Sequence, residues 1–186
     1  GTDPQRVAAD LLAQAEHDPE ALPVLGSLDG GLCERVRRGC AAQLEDLPTA
    51  ATASEALRRG FCVVAADAVE AAGICDRLAP EHLQVMVEDP AALAPRLRHW
   101  GALFLGDASA EVLGDYGAGP NHVLPTGGTA RFSGGLSVLH FLRMRTWMRL
   151  GEAGSAAMAA DAVALARLEG LEAHARAAER RAGGGD

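Results

Sequence analysis

The first two thirds of the chain alternate between helical and strand patterns of apolar residues. Asp3-Pro4 before residues 5–17 is typical of a capped helix start, since proline fits the first helical position. Strand patterns follow in ALPVLGS, FCVVAA, HLQVMV and ALFLG, and helical patterns lie between them in CERVRRGCAAQLEDL, SEALRRG, DAVEAAGICDRLA and DPAALAPRLRHWG. Strands alternating with helices predict an α/β fold, with βαβ units and a parallel sheet flanked by helices.

A segment rich in glycine and proline follows the last predicted strand. GDYGAGPNHVLPTGGTARFSGG, residues 114–135, contains too many of these residues to form a regular helix or a central strand. Long irregular segments inside compact domains are uncommon and are usually functional or disordered. Ligands of open α/β sheets bind beyond the carboxyl ends of strands, so this position predicts a functional loop.

The pattern changes again beyond Gly151. GSAAMAADAVALARLEGLEAHARAAERR is helical throughout and contains no strand pattern. The sequence therefore predicts a C-terminal helical tail that forms a small subdomain or an arm.

Composition narrows the classes of function. The chain has 186 residues, of which 48% are hydrophobic, and a net charge of −8. This charge argues against binding to nucleic acid or to an anionic membrane. The sequence contains no apolar run of bilayer length and does not begin like a signal peptide, so we expect a cytoplasmic protein. It also contains no GxGxxG fingerprint between a strand and a helix.

The four cysteines, at positions 33, 40, 62 and 75, have neither CxxC spacing nor the density of a disulfide scaffold. Cys62 lies in an apolar strand pattern and Cys75 in a helical one. Free cysteine in such segments behaves as a small hydrophobic residue, so we interpret the cysteines as core residues. A nucleophilic cysteine is the alternative, although no cysteine lies in a polar loop beside a histidine.

Several polar residues are candidates for chemistry, and each also has an ordinary structural explanation. Gln14 and His17 are three residues apart and share a helix face. The pair Glu81-His82, at a helix–strand junction, could act as a base with an orienting carboxylate, or could simply be exposed. The remaining candidates are loop residues Asp115, Asn121 and His122, and tail residues Glu169 and His174. His99 and His140 are interpreted as structural.

Four of these residues have side chains that suit a divalent transition metal such as zinc. Gln14, His17, Asp115 and His174 offer two imidazoles and two oxygen ligands. Neither zinc-ribbon nor HExxH spacing supports the site, so residue chemistry alone leads only to an α/β protein with a polar functional loop.

The loop sequence, extended to GDYGAGPNHVLPTGGTARFSGGLSVLHF, resembles a signature of the histidinol dehydrogenase family. DLLAQAEH at 10–17, RLAPEHLQV at 77–85 and the terminal LEGLEAH resemble family segments with matching spacing. The resemblance implies an enzyme that oxidises L-histidinol through histidinal to L-histidine with two NAD and a zinc ion. His140 departs from the family, which usually has an acidic residue before the phenylalanine.

The resemblance also implies roles for individual residues. Its catalytic residues are Glu81, which would activate water at the aldehyde stage, and His82, which would accept the alcohol proton. The zinc ligands would be Gln14, His17, Asp115 and His174. The substrate-binding set would comprise these four ligands together with His122 and Glu169.

Family members are more than twice as long, so the resemblance implies only their C-terminal part. Residues 1–136 would be the second half of an incomplete Rossmann-like catalytic domain, with most of the NAD site outside the chain. Residues 137–186 would be a helical dimerisation arm that reaches across a twofold axis. A homodimer would then share Glu169 and His174 between active sites.

Two other functions remain open from the sequence. The chain could be a non-catalytic fragment that binds a metal or ligand, which turnover of histidinol with NAD would reject. It could also be a structural α/β domain whose loop is a mere connection. That alternative predicts no stoichiometric zinc.

Overall fold

The computed structural model describes residues 2–182, which divide into two compact units meeting between Phe141 and Leu142. The first unit contains α1 (Pro4–Ala15), β1 (Val24–Ser27), α2 (Gly30–Leu44), α3 (Ala50–Arg59), β2 (Phe61–Val64), α4 (Ala68–Leu78), β3 (His82–Val85), α5 (Pro90–Leu93), β4 (Ala102–Leu105) and α6 (Glu111–Asp115). The second contains α7 (Glu152–Leu168) and α8 (Glu172–Ala182). The proposed division into a catalytic domain and an arm places its boundary slightly earlier, at residue 136.

Side chains at the helix starts explain where several helices begin. The carboxylate of Asp3 accepts a hydrogen bond from the Gln5 amide, with Pro4 at the first helical position, as the sequence predicts. Asp67 caps α4 in the same way through two backbone amides. These contacts satisfy amides that have no partner within their own helix.

The strands pair in parallel, which confirms the mixed α/β class. Val24 of β1 is in register with Phe61 of β2, and His82 of β3 is in register with Ala102 of β4. Within the described residues, these pairs form two separate two-stranded sheets. The predicted Rossmann-like arrangement therefore remains a prediction.

The predicted helix over residues 89–101 is shorter than the pattern indicates. It consists of α5 and a 3₁₀ turn at Ala94–Arg96, after which Leu97 is extended. Pro95 explains the early end, since it lacks an amide hydrogen and disfavours helix at the residue before it.

The main apolar core lies between α1, α2 and α3. Its buried residues are mostly small: Val7, Ala8, Leu12, Ala15, Val36, Cys40, Ala53 and Ala56. A Cβ placed on Gly39 would lie 3.0 Å from the Cβ of Ala8, so glycine permits the close approach of α1 and α2. A second cluster, of Ala72, Val85 and Leu97, packs α4 against the β3–β4 sheet.

The interpretation of all four cysteines as core residues is wrong for two of them. Cys40 is buried in the main core, and Cys75 packs against the second cluster. Cys33 on α2 and the exposed Cys62 on β2 instead form a disulfide, with Cα atoms 6.2 Å apart. The pattern of the strand did not reveal that β2 leaves Cys62 outside the core.

The second unit is a helical hairpin, and its predicted helical character is confirmed. The helix pattern is interrupted at Gly170, whose φ of 73° allows the chain to turn between α7 and α8. Arg167 forms ion pairs with Glu172 and Glu179 across this turn.

No helix among residues 2–182 has both the length and the apolar character required to cross a bilayer.

Leu12→Ala is expected to lower the free energy of unfolding by about 2–4 kcal/mol, because it opens a cavity in a core of small residues. Leu12 is 4% exposed, whereas Leu22 is 54% exposed and provides the matched control. Urea unfolding of both variants measures the difference. An equal loss in Leu22→Ala would contradict this assignment of the core.

Candidate metal and catalytic site

Three elements of the first unit bring polar side chains together. Gln14 lies in the last turn of α1, His82 begins β3, and Glu111 and Asp115 are the first and last residues of α6. The spacing of four residues between Glu111 and Asp115 places both carboxylates on one face of that helix.

Close backbone approaches hold β3 and α6 in place. The Ala102 amide donates to the Glu81 carbonyl at 2.8 Å, which ties the residue before His82 to β4. A Cβ on Gly101 would lie 2.5 Å from that carbonyl oxygen, and one on Gly114 would lie 2.8 Å from the ring of Phe104. Glycines therefore let β4 contact the start of β3 and let α6 pack on β4.

A chain of hydrogen bonds joins the site residues. Gln14 donates its Nε2 hydrogen to Glu111 Oε2, and its Oε1 lies 2.9 Å from Nδ1 of His82. Nε2 of His82 is 3.5 Å from Oε1 of Glu111. The side chains of His82 and Glu111 are only 18% and 7% exposed, so the cluster is largely shielded from water.

Burial shifts the pKa values of His82 and Glu111 in the directions that favour the neutral form of each side chain. Burial lowers the pKa of His82, against the opposing effects of Glu81 and Asp115, while His17 adds to the lowering. Burial raises the pKa of Glu111, and the nearby Asp115 carboxylate raises it further. Both shifts arise because the charged forms lose their hydration and gain too few hydrogen bonds or opposite charges in return.

The donor atoms fit a divalent cation. His82, Glu111 and Asp115 each offer one ligand atom, and these atoms lie within 4.8 Å of one another. Oε1 of Glu111 is buried and accepts no hydrogen bond from any described residue. Nitrogen and oxygen donors around an uncompensated carboxylate suit zinc or a similar metal.

The structure brings some of the predicted site residues together. Gln14, His82 and Asp115 belong to the cluster, Glu81 immediately precedes His82, and the exposed His17 is close enough to influence two pKa values. His122 is exposed in the glycine-rich segment. In the second unit, Glu169 follows α7 and His174 lies in α8, and both are exposed.

The structure corrects the picture of the loop in two respects. Asp115 is the last residue of helix α6 and therefore does not lie in the irregular loop. The loop follows the helix, and Gly117 in it has a φ of 120°. The Asn121 side chain bonds the backbone at Val123 and Leu136, so it stabilises the loop itself. Buried Pro125 packs near Gly101 and anchors the loop beside the start of β4.

Glu111 is the site residue that the sequence analysis missed. It lies in ASAEVLG, between the last predicted strand and the glycine-rich segment, where the sequence analysis assigns no site residue. Its spacing of four residues from Asp115 was the available signal. That signal is weak, because exposed acidic pairs at this spacing are common on helices.

The chain is similar to several known proteins over nearly its whole length. The histidinol dehydrogenase family model matches residues 1–182. The chain is 47% identical over 178 residues to the histidinol dehydrogenase of Thermus thermophilus, covering 96% of this chain and 43% of that protein. It is 54% identical over 180 residues to the one from Nitratidesulfovibrio vulgaris, with 96% and 41% coverage.

A crystal structure of histidinol dehydrogenase from Elizabethkingia anophelis has the same fold. It matches with a TM-score of 0.87 at 32% identity, over 96% of this chain and 41% of that one. The chain is an α/β protein with a cluster of amide, imidazole and carboxylate side chains at one end of a parallel strand pair. It belongs to the histidinol dehydrogenase family, and it spans about two fifths of the length of these full relatives.

Gly101→Ala is expected to lower the free energy of unfolding by about 1–3 kcal/mol and to displace Glu81 and His82, because the new Cβ would collide with the Glu81 carbonyl. Urea unfolding and the NMR signals of His82 measure the two effects. Gly26→Ala in β1 is the control, since a Cβ there meets nothing within 4 Å. Unchanged His82 signals in Gly101→Ala would contradict the proposed positioning.

Proposed function

We propose that this chain is the zinc- and substrate-binding part of a histidinol dehydrogenase, an enzyme of histidine biosynthesis that oxidises L-histidinol through histidinal to L-histidine. The observation that carries the proposal is the buried, partly unpaired carboxylate of Glu111 beside His82 and Asp115 in a chain of this family. Gln14, His17, Asp115 and His174 would hold the zinc. When bound, zinc would anchor the substrate as a template and NAD would accept hydride.

The chain's own residues would carry the proton transfers. His82 would accept the proton of the substrate alcohol, and its pKa, which burial lowers, favours the neutral imidazole that can accept a proton. Glu81, immediately before it on the chain, would accept a proton from the water that attacks the aldehyde. General acid–base catalysis of this kind contributes roughly 10²–10⁴-fold to a rate.

The other assigned residues would complete substrate binding. His122 would contact histidinol from the glycine-rich loop, and Glu169 would do so from the second unit, together with the four zinc ligands. Most of the NAD site would lie in the part of the full-length relatives that this chain does not match. The proposed setting of the reaction is the cytoplasm.

The limited coverage of the full relatives favours one alternative, a non-catalytic fragment that binds zinc or histidinol. Turnover of histidinol with NAD by the chain alone would reject it. Zinc-dependent binding of histidinol without turnover would support it, and would leave the chemistry to a longer form of the protein.

Asp115→Ala is expected to weaken zinc binding by more than about 100-fold, because removing a direct ligand should exceed the loss typical for outer partners. Zinc content after dialysis and competition with a chelator measure it. Asp107→Ala removes an exposed carboxylate just before α6 and should retain zinc. Equal zinc content in Asp115→Ala and the unchanged chain would refute the ligand assignment.

Exposed apolar side chains in the second unit, just before α7, support the proposed homodimer with shared sites. Trp147 is 86% exposed and Met144 is 98% exposed. Large contiguous patches of exposed apolar side chains mark interaction surfaces. An isologous dimer would cover the same patch on both copies.

Mixing His174→Ala with Asp115→Ala is expected to restore zinc binding. Each heterodimer would contain one intact site, so random exchange should return about one quarter of the sites. Zinc content of the mixture, compared with the separate variants, measures the recovery. If mass-tagged subunits exchange and zinc does not return, the sites are not shared between copies.

A further inference from the structure

Glu111 is a buried carboxylate with defined partners, but the function proposed above assigns it no role as a zinc ligand, proton acceptor or substrate contact. Its side chain is 7% exposed, and it lies on the same face of α6 as Asp115. One carboxylate oxygen accepts from the Gln14 amide, and the other faces His82. Glu111 thus contacts both a proposed ligand and the proposed base.

The chemistry of these groups fixes the direction of each hydrogen bond. A carboxylate only accepts, so it turns the NH₂ group of Gln14 toward itself. The Gln14 carbonyl oxygen must then face the opposite way, 2.9 Å from Nδ1 of His82. A carbonyl oxygen also only accepts, so Nδ1 must carry the hydrogen, and in the neutral imidazole this leaves Nε2 with its lone pair.

We propose that Glu111 is a positioning residue that acts through Gln14. It holds the His82 imidazole in the tautomer with its proton on Nδ1, and it points the Gln14 carbonyl oxygen toward the metal site. The part that concerns zinc and catalysis rests on the proposed function. The part that concerns the tautomer rests on hydrogen-bond geometry alone.

The arrangement has two consequences for the proposed reaction. Nε2 of His82 is the nitrogen left free to accept the substrate proton. The Gln14 oxygen has two lone pairs, so it can accept from His82 and still bind a cation. Without Glu111, the Gln14 amide could rotate by half a turn and present its NH₂ group to Nδ1. The proton of His82 would then move to Nε2, and both functions would be lost together.

The first test uses the metal-free chain, in which the ¹⁵N shifts of labelled histidine distinguish the two neutral tautomers. At about pH 8, where imidazoles are mostly neutral, the unchanged chain is expected to show His82 protonated on Nδ1. Glu111→Ala should move a substantial fraction of the proton to Nε2. Gln14→Ala should do the same, and Gln14→Ala with Glu111→Ala should match Gln14→Ala alone. An unchanged tautomer in Glu111→Ala would overturn the proposal.

The second test measures zinc affinity in the same four proteins. Glu111→Ala is expected to weaken zinc about 10–100-fold, the range typical for partners that orient a ligand. In the Gln14→Ala background it should have little further effect, because its action passes through Gln14. Multiplying losses would show that Glu111 is itself a ligand and would overturn the positioning role.

Two controls complete the design. Asp10→Ala removes another partly buried carboxylate, one turn before Gln14 on α1, and should leave the His82 tautomer unchanged. If Glu111→Ala does not fold, Glu111→Leu provides a variant of closer volume with the same loss of the acceptor. Failure of the unchanged chain to bind zinc would count against the proposed function, whereas the tautomer of the metal-free chain judges the inference independently.

Discussion

A carboxylate withdrawn from water must find hydrogen-bond donors or positive charge, and Glu111 imposes this requirement on its surroundings. Gln14 meets it for one oxygen, and the other oxygen lies near His82 without a hydrogen bond. The side chains of α1 and β3 at this point are therefore arranged around a negative charge on α6. The same incomplete compensation makes the cluster suitable for a cation.

The fold satisfies that requirement through close packing of small residues. Gly114 lets α6 approach the ring of Phe104, which itself lies 6.1 Å from the ring of His82. Gly101 lets β4 pass beside the carbonyl of Glu81, and Pro125 brings the loop against the same point. A larger side chain at Gly114 would push α6 away from β4, and one at Gly101 would push the start of β4 away from Glu81.

The sequence predicted most helices, the strands and their parallel pairing, because these depend on local periodicity and end signals. Asp3-Pro4 is such a signal, and Gly170 marks a helix break that the pattern did not resolve. The environment of Cys62 was not predictable, since strand composition does not tell which face another layer covers.

The site, like the fold, was predictable only where the sequence carries a recognisable pattern. Resemblance singled out Gln14, His82 and Asp115, and the structure places them together in one cluster. Glu111 was missed because its importance comes from burial, and burial at position 111 depends on contacts with residues almost a hundred positions earlier in the chain. A short acidic helix carries no local sign that one of its carboxylates faces inward.

Several apolar residues of the first unit are exposed, and the chain spans only part of the length of its relatives. Phe61, Val64 and Leu105 lie on strands, yet they are exposed among the described residues. Each of the two small sheets also has few strands for burying such side chains on its own. The full relatives compared above contain more than twice the matched length. The polar cluster depends less on such cover, because Gln14, His82, Glu111 and Asp115 all come from elements that already pack on one another here. The geometry of the polar cluster can therefore be separated, in physical terms, from the covering of the exposed strand residues.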